Sequence, residues 1–209
     1  VLITAGPTYE AIDPVRFIGN HSSGKMGFEL AKEAAKLGAQ VILITGPTHL
    51  QLDSSSIKLI RVTNAQEMYE AAHTYFEDQD VVIAAAAVSD YKPKEVINQK
   101  IKKKDANLNI ELIPTQDILA SLGKIKKQQK LIGFALETNN EVENAKSKLE
   151  RKNLDFIVLN SLQDKGAGFK KDTNKISIIS RSEIKNFELK SKAEVAQDIL
   201  KEVLSLFHE

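Results

Sequence analysis

Three observations predict the fold class. Short apolar runs alternate with longer amphipathic stretches, the rhythm of strand–helix–strand units. The apolar runs are continuous Val, Ile, Leu and Ala without polar alternation, as in strands covered on both faces. After Asn160 the rhythm changes to two short strand-like segments around a tight turn. Together they predict an α/β protein: a Rossmann-like, mainly parallel sheet flanked by helices, with a C-terminal β-hairpin extension, in one domain over residues 1–209.

The elements follow in order. Val1–Ala5 is the first strand, and a helix from Lys25 to Leu37 follows with Ser22 or Ser23 as cap and Gly38 as stop. Strands Val41–Thr45 and Lys58–Val62 precede a helix that begins at Thr63, where Thr63-Asn64-Ala65-Gln66 has the form of a capping box, and runs to about Phe76. Val81–Ala87 is the next strand, then a helix near Thr115–Leu122, a strand Leu131–Leu136, a helix near Asn140–Arg151 and a strand Phe156–Asn160. Lys175–Ser180 and Ile184–Leu189 flank Arg181-Ser182-Glu183 as a hairpin closing or covering the sheet edge, and a helix near Ala193–Phe207 ends the pattern. Two connections, Gly6 to Ser23 and Ser89 to about Asp105, are too long for simple connectors. Both leave the C-terminal edge of the parallel strands, where open α/β sheets bind ligands.

Composition narrows the classes. Of 209 residues, 42% are hydrophobic and 27% charged, enough for a core in an ordinary globular chain. A formal net charge of +1 gives no argument for nucleic acid or an anionic membrane surface. The absence of cysteine excludes disulfides, thiolate metal sites and a Cys nucleophile, and fits a reducing, cytoplasmic setting. No apolar run approaches the roughly 20 residues that span a bilayer. The chain opens at Val1, already inside a strand pattern, as a domain cut from a longer protein would.

The most informative stretch is Gly19-Asn20-His21-Ser22-Ser23-Gly24-Lys25-Met26-Gly27. It nearly spells a P-loop, G-x-x-x-x-G-K-[ST], but Met26 stands where a hydroxyl should ligate magnesium, and a thioether is a poor ligand for a hard cation. The segment therefore offers a helix N-terminus with Ser22, Ser23 and Gly24 for an anion in another manner; plain helix capping is the alternative for the serines. Asn20 supplies an amide able to orient an acyl group, and Arg16, four residues earlier, a guanidinium for phosphate or carboxylate. In the second loop Asp90 ends an apolar strand, suited to a metal, a sugar hydroxyl or merely a turn. Beside it the small Ala84, Ala85 and Ala86 leave room for a planar base against the backbone. Lys92, Lys94, Lys100, Lys102, Lys103 and Lys104 form a run that is a solvated face or, in part, a charge clamp for a triphosphate. Phe134 at a strand end suits core or base stacking; Lys148 and Lys152 share a helix face at i, i+4 and read as surface lysines from spacing alone. The four histidines show no metal-ligand grouping, and neither G-x-S-x-G nor G-x-G-x-x-G is present.

Thr4-Ala5-Gly6-Pro7-Thr8, Asp13-Pro14-Val15-Arg16, Asn20 to Gly27, Ala86-Ala87-Val88-Ser89-Asp90-Tyr91, Lys100-Ile101-Lys102-Lys103, Gly133-Phe134-Ala135-Leu136-Glu137-Thr138 and Lys152-Asn153-Leu154-Asp155 closely resemble the phosphopantothenoylcysteine synthetase family, the CoaB ligase domain of bacterial bifunctional coenzyme A biosynthesis proteins. The resemblance covers essentially the whole chain. It implies a ligase that joins 4′-phosphopantothenate to L-cysteine with CTP through an acyl-cytidylate, with Mg2+ or Mn2+, as a homodimer normally fused to or associated with a flavin-dependent decarboxylase domain not in this sequence. It implies catalytic roles for Asn20 and Lys100, and a nucleotide site of Ala84, Ala85, Ala86, Asp90, Lys100, Gln116, Asp117, Ile118, Leu119, Phe134, Lys148 and Lys152. Gln116-Asp117-Ile118 stands where the family often has Pro-Asp-Ile. Arg16, Asn20, Ser22, Ser23 and Gly24 are expected at the acyl substrate. The competing readings are a P-loop-like NTPase or kinase, and a nucleotide- or RNA-binding module built on the lysine loop.

Overall fold

A strand whose side chains alternate between two apolar faces must be covered on both, and the central strands here are. A computed structural model of the protein describes residues 1–103, 107–137, 139–161 and 172–208. In chain order, β1 (Leu2–Ala5) leads into a hairpin of β2 (Tyr9–Ala11) and β3 (Phe17–Gly19), then α1 (Lys25–Lys36), β4 (Val41–Thr45), β5 (Ile57–Arg61), α2 (Ala65–Phe76) and β6 (Val81–Ala84). There follow β7 (Tyr91–Pro93), β8 (Leu112–Pro114), α3 (Ile118–Ile125), β9 (Lys130–Glu137), α4 (Glu141–Arg151) and β10 (Phe156–Ser161). The chain closes with β11 (Thr173–Asn174), β12 (Ile176–Ser180), β13 (Ile184–Asn186), β14 (Lys190–Ser191) and α5 (Lys192–Ser205).

The main sheet runs β13-β12-β10-β9-β6-β1-β4-β5. Its six strands from β10 to β5 are parallel, and β12 and β13 extend the β10 edge antiparallel, as the C-terminal hairpin was expected to do. Counted along the chain, the parallel strands take the order of a doubly wound nucleotide-binding sheet, with its switch point between β1 and β6. Ile3, Leu43 and Ile83 pack with Phe28 and Leu30 of α1 and Val195 and Ile199 of α5 on one face. Leu2, Ile44 and Val82 pack with Met68 of α2, Leu122 of α3 and Leu149 of α4 on the other.

Several local expectations are corrected. The cap of α1 is Gly24, not Ser22 or Ser23; it sits at φ 83, left-handed backbone that a serine would adopt only under strain. The α2 box is shifted by one residue: Asn64 accepts from the Glu67 N–H and Glu67 accepts from the Thr63 N–H. The strand expected over Val81–Ala87 ends at Ala84; beyond it the chain stays beside the extension of β1, with the Ala85 and Ala87 N–H groups donating to the carbonyls of Thr4 and Gly6 and an isolated parallel bridge between Pro7 and Ala87. α3 begins at Ile118 rather than Thr115, with Asp117 capping the Ala120 N–H. Neither long connection is bare coil. The first contains the β2–β3 hairpin, and the second contributes β7, which pairs with β8. Lys104, Asp105 and Thr138 lie outside the described residues.

Candidate active site

At a switch point the connections leaving two neighbouring parallel strands go to opposite faces, so the strand ends part and leave a crevice. Here it is a cavity of about 550 Å³ at the ends of β1, β6, β9 and β10. Its floor is Thr4, Ala84 to Val88, Phe134 to Leu136 and Asn160. One wall is the turn Ser22 to Gly27 at the start of α1, with Asn174 of β11 and Lys192 at the start of α5. The other is Gln116 to Leu119 at the start of α3, with Lys148 and Lys152 at the end of α4. Asp90, Tyr91, Pro114 and Thr115 complete the lining.

Each part has a local cause. The alanine run keeps the floor low, and the Thr4 hydroxyl holds it by accepting from the Ala86 N–H at 3.2 Å. Thr8 receives the Ser89 N–H at 2.9 Å, and the Thr115 hydroxyl donates to the Ser89 carbonyl at 2.6 Å, which sets Asp90 beside β8. Asp90 is exposed, and among the described residues its carboxylate has no partner. Gly27 lets α1 approach β1: a Cβ there would lie 2.5 Å from the Ala5 side chain.

On the α3/α4 wall both lysines are neutralised. Lys148 meets Glu137 at 2.5 Å and Lys152 meets Asp117 at 2.8 Å. Burial acts to raise the Asp117 pKa, but hydrogen bonds from Lys152 and the Ala120 N–H outweigh it and hold the carboxylate below its ordinary value. Lys152 is set in place by the turn that follows. Asn153 donates to the Gly123 carbonyl at 3.1 Å, and Asp155 takes the Leu131 N–H and the Lys126 ammonium at 2.6 Å each. Lys148 and Lys152 thus belong to the cavity wall, contrary to the reading from helix spacing.

Three expected residues stand outside the cavity lining. Asn20, leaving β3, donates its amide to the carbonyls of Ala87 (2.9 Å) and Val88 (3.2 Å), gripping the floor from its edge. Arg16 was expected at the acyl substrate; its guanidinium is instead engaged by the buried Asp13 and by the Ile101 carbonyl. Burial acts to raise the Asp13 pKa; hydrogen bonds from the Val15 and Ile101 N–H groups and from Arg16 outweigh it and hold the carboxylate well below the usual range. The Asp13–Arg16 pair therefore ties the lysine segment to the first hairpin through Ile101, and Lys100 beside it is exposed outside the cavity. Sequence reading missed Thr4, Asn160, Asn174 and Lys192. Two of them carried a signal: Lys192 through the Ser191–Glu194 capping box that opens α5, and Thr4 through the motif Thr4-Ala5-Gly6-Pro7-Thr8.

Among the described residues no three His, Asp or Glu side chains gather to hold a metal, and no helix is long and apolar enough to cross a membrane. Residues 1–207 match the family described as the DNA/pantothenate metabolism flavoprotein C-terminal domain (DFP). The chain is 54% identical over 210 residues to a protein of an unknown prokaryotic organism named cysteine/cysteine sulfinic acid decarboxylase, covering 100% of this chain and 58% of that one. It is 47% identical to the coenzyme A biosynthesis bifunctional protein CoaBC of Bacillus subtilis, covering 99% of this chain and 51% of the relative. The chain thus spans just over half the length of these curated relatives. A crystal structure of the C-terminal domain of a CoaBC protein superimposes with a TM-score of 0.84 at 44% identity, covering 99% of this chain and 94% of that one.

Proposed function

The chain belongs to the DFP C-terminal domain family, and from that premise we propose that it is a phosphopantothenate–cysteine ligase of coenzyme A biosynthesis that uses CTP. The observation that carries this reading is the switch-point cavity, with a floor of small residues, a serine- and glycine-lined helix start on one side and lysines on both.

The chemistry needs two displacements. A carboxylate resists amine attack because oxide is a poor leaving group. In the first step a carboxylate oxygen of 4′-phosphopantothenate attacks the α-phosphorus of CTP; the bond to the bridging oxygen breaks, and pyrophosphate leaves with the electron pair. In the second the cysteine amine attacks the acyl carbon, the carbon–oxygen bond breaks to release CMP, and the amine loses a proton. Ala84 to Ala86 and Phe134 suit the base, Asp90 a ribose hydroxyl or a metal, and the turn Ser22 to Gly24 a phosphate. One free carboxylate fits Mg2+ or Mn2+ carried largely by substrate phosphates, where it would offset triphosphate charge. Asn20 would hold the acyl-cytidylate for the amine, and Lys100 would act in activation. A cytoplasmic location fits a chain without cysteine.

Lys100 serves best from a second copy. Val15 (59% exposed), Phe17 (51%), Tyr91 (54%) and Leu112 (43%) are apolar side chains left bare on the two hairpins, next to the tethered lysine segment. Such exposure suits an interface, and a homodimer through this side would bring the lysine segment of one chain toward the cavity of the other. Lys100→Ala and Asp90→Ala chains, each inactive alone, are then expected to regain activity when mixed.

Pyrophosphate release on mixing the protein with CTP and 4′-phosphopantothenate, followed by amide formation on adding cysteine, tests the function. Hydrolysis of nucleotide without the acid would favour an NTPase, and carbon dioxide from cysteine the activity named in the decarboxylase relative. Initial rates with the four nucleoside triphosphates test the choice of CTP.

A further inference from the structure

Two helices on one wall of the cavity each begin with a lysine. Lys25 opens α1 after Gly24, and Lys192 opens α5 after Ser191. The two helices pack against each other on the same face of the sheet, and both lysines line the cavity. The positive ends of two helix dipoles therefore accompany two ammonium groups at one end of the crevice.

Lys192 is the unusual member. It is only 5% exposed, yet among the described residues its ammonium makes no hydrogen bond and no ion pair. The charges that act on it are Lys25, of the same sign, and Asp172, whose carboxylate pairs with Lys25 rather than with it. Burial and then Lys25 push the Lys192 ammonium down from its ordinary pKa, with Asp172 opposing. Among the described residues no side-chain nitrogen is both sealed from solvent and without a partner, so this unpaired ammonium opens on the cavity that Lys192 lines, where it is available to an anion. Amides stand beside it. Asn174 donates to the Asn160 oxygen at 3.3 Å, and both residues line the same end of the cavity. On the opposite wall Lys148 and Lys152 already have carboxylate partners.

We propose that Lys192, with Lys25 and the start of α1, forms the subsite for the terminal phosphates of the nucleoside triphosphate, where the departing pyrophosphate is held. The nucleoside end then lies toward Phe134, Lys148 and Lys152. The assignment to a nucleotide rests on the ligase reading; the polyphosphate site itself is measurable without turnover.

The test is calorimetric titration of the full chain with inorganic pyrophosphate, CTP, CMP and 4′-phosphopantothenate. Lys192→Met keeps the packed stem and removes the charge. It is expected to weaken pyrophosphate and CTP by roughly ten- to a hundredfold, the worth of a charge-assisted hydrogen bond, and to leave CMP unchanged. Lys192→Arg should retain pyrophosphate within a few-fold. The melting temperature of Lys192→Met should not fall, since Met keeps the packed apolar stem and the ammonium makes no hydrogen bond or ion pair among the described residues. On the unaltered protein, pyrophosphate should protect Lys192 from an amine-acylating reagent and CMP should not, which reads the site even if a variant misfolds. Unchanged pyrophosphate affinity in Lys192→Met, equal losses for CMP and CTP, or a loss confined to 4′-phosphopantothenate would each overturn the subsite. Pyrophosphate binding that depends on Lys192 in a protein that forms no acyl-cytidylate would instead keep the subsite and reject the ligase reading.

Discussion

The two walls of the crevice use the same side chain in opposite ways. On the α3/α4 wall, Lys148 and Lys152 are held by Glu137 and Asp117, so the wall offers hydrogen-bond donors with little net charge. On the α1/α5 wall, among the described residues, Lys25 pairs only with the exposed Asp172 and Lys192 with none. Counting lysines would rate the walls alike. Counting their partners separates a surface fit for a neutral base and sugar from one fit for phosphates.

The largest effect is expected at the edge of the floor, where Asn20 grips the Ala87 and Val88 carbonyls. Asn20→Asp should still release pyrophosphate but slow amide formation by about a hundredfold or more, the scale seen when one oriented donor at a reacting centre is lost; quenched-flow assays of each half-reaction read this, and equal effects on both would reject the role. A matched pair of glycine substitutions comes next. Gly123→Ala would place a Cβ 2.0 Å from the Lys152 carbonyl, and Gly27→Ala would place one 2.5 Å from the Ala5 side chain. Each should cost about 1–3 kcal/mol in urea unfolding. The first should weaken CMP and the second pyrophosphate; the same ligand suffering in both variants would break the contrast between the walls.

A smaller effect is tied to pH. The folded pKa of Asp117 is depressed, so its contribution to stability is present above its ordinary value of 3.8 and is lost as pH falls through the folded value. The margin of the unaltered protein over Asp117→Asn should therefore be full at neutral pH and shrink below about pH 4. Thermal melts across that range check it, and a margin that grows on acidification would contradict the ion pair with Lys152. Smallest is Ser191→Ala, which removes the cap that orients the start of α5 and should cost about 1 kcal/mol with pyrophosphate affinity falling in step.

Much of this was legible along the chain. Val41–Thr45 is a strand because its continuous apolar run suits nothing but a covered position, and the structure keeps those bounds. The segment around Ser22 to Gly27 announced a helix start, and that start lines the cavity. The β2–β3 hairpin was readable in principle: Asp13 accepts from the Val15 and Arg16 N–H groups, the local turn that an Asp-Pro pair favours. Its strands are only three residues long, too short for a period-2 pattern to show.

By itself the sequence determined the parallel strands, the helices between them and the edge of the sheet at which the functional segments emerge, because apolar period and turn chemistry act over a few residues. Which lysines are neutral in effect and which are charged was decided only by the tertiary structure. Electrostatic character depends on neighbours, and the carboxylate that pairs with Lys152 and the charges that act on Lys192 come from segments distant in the chain that meet only when the sheet is wound.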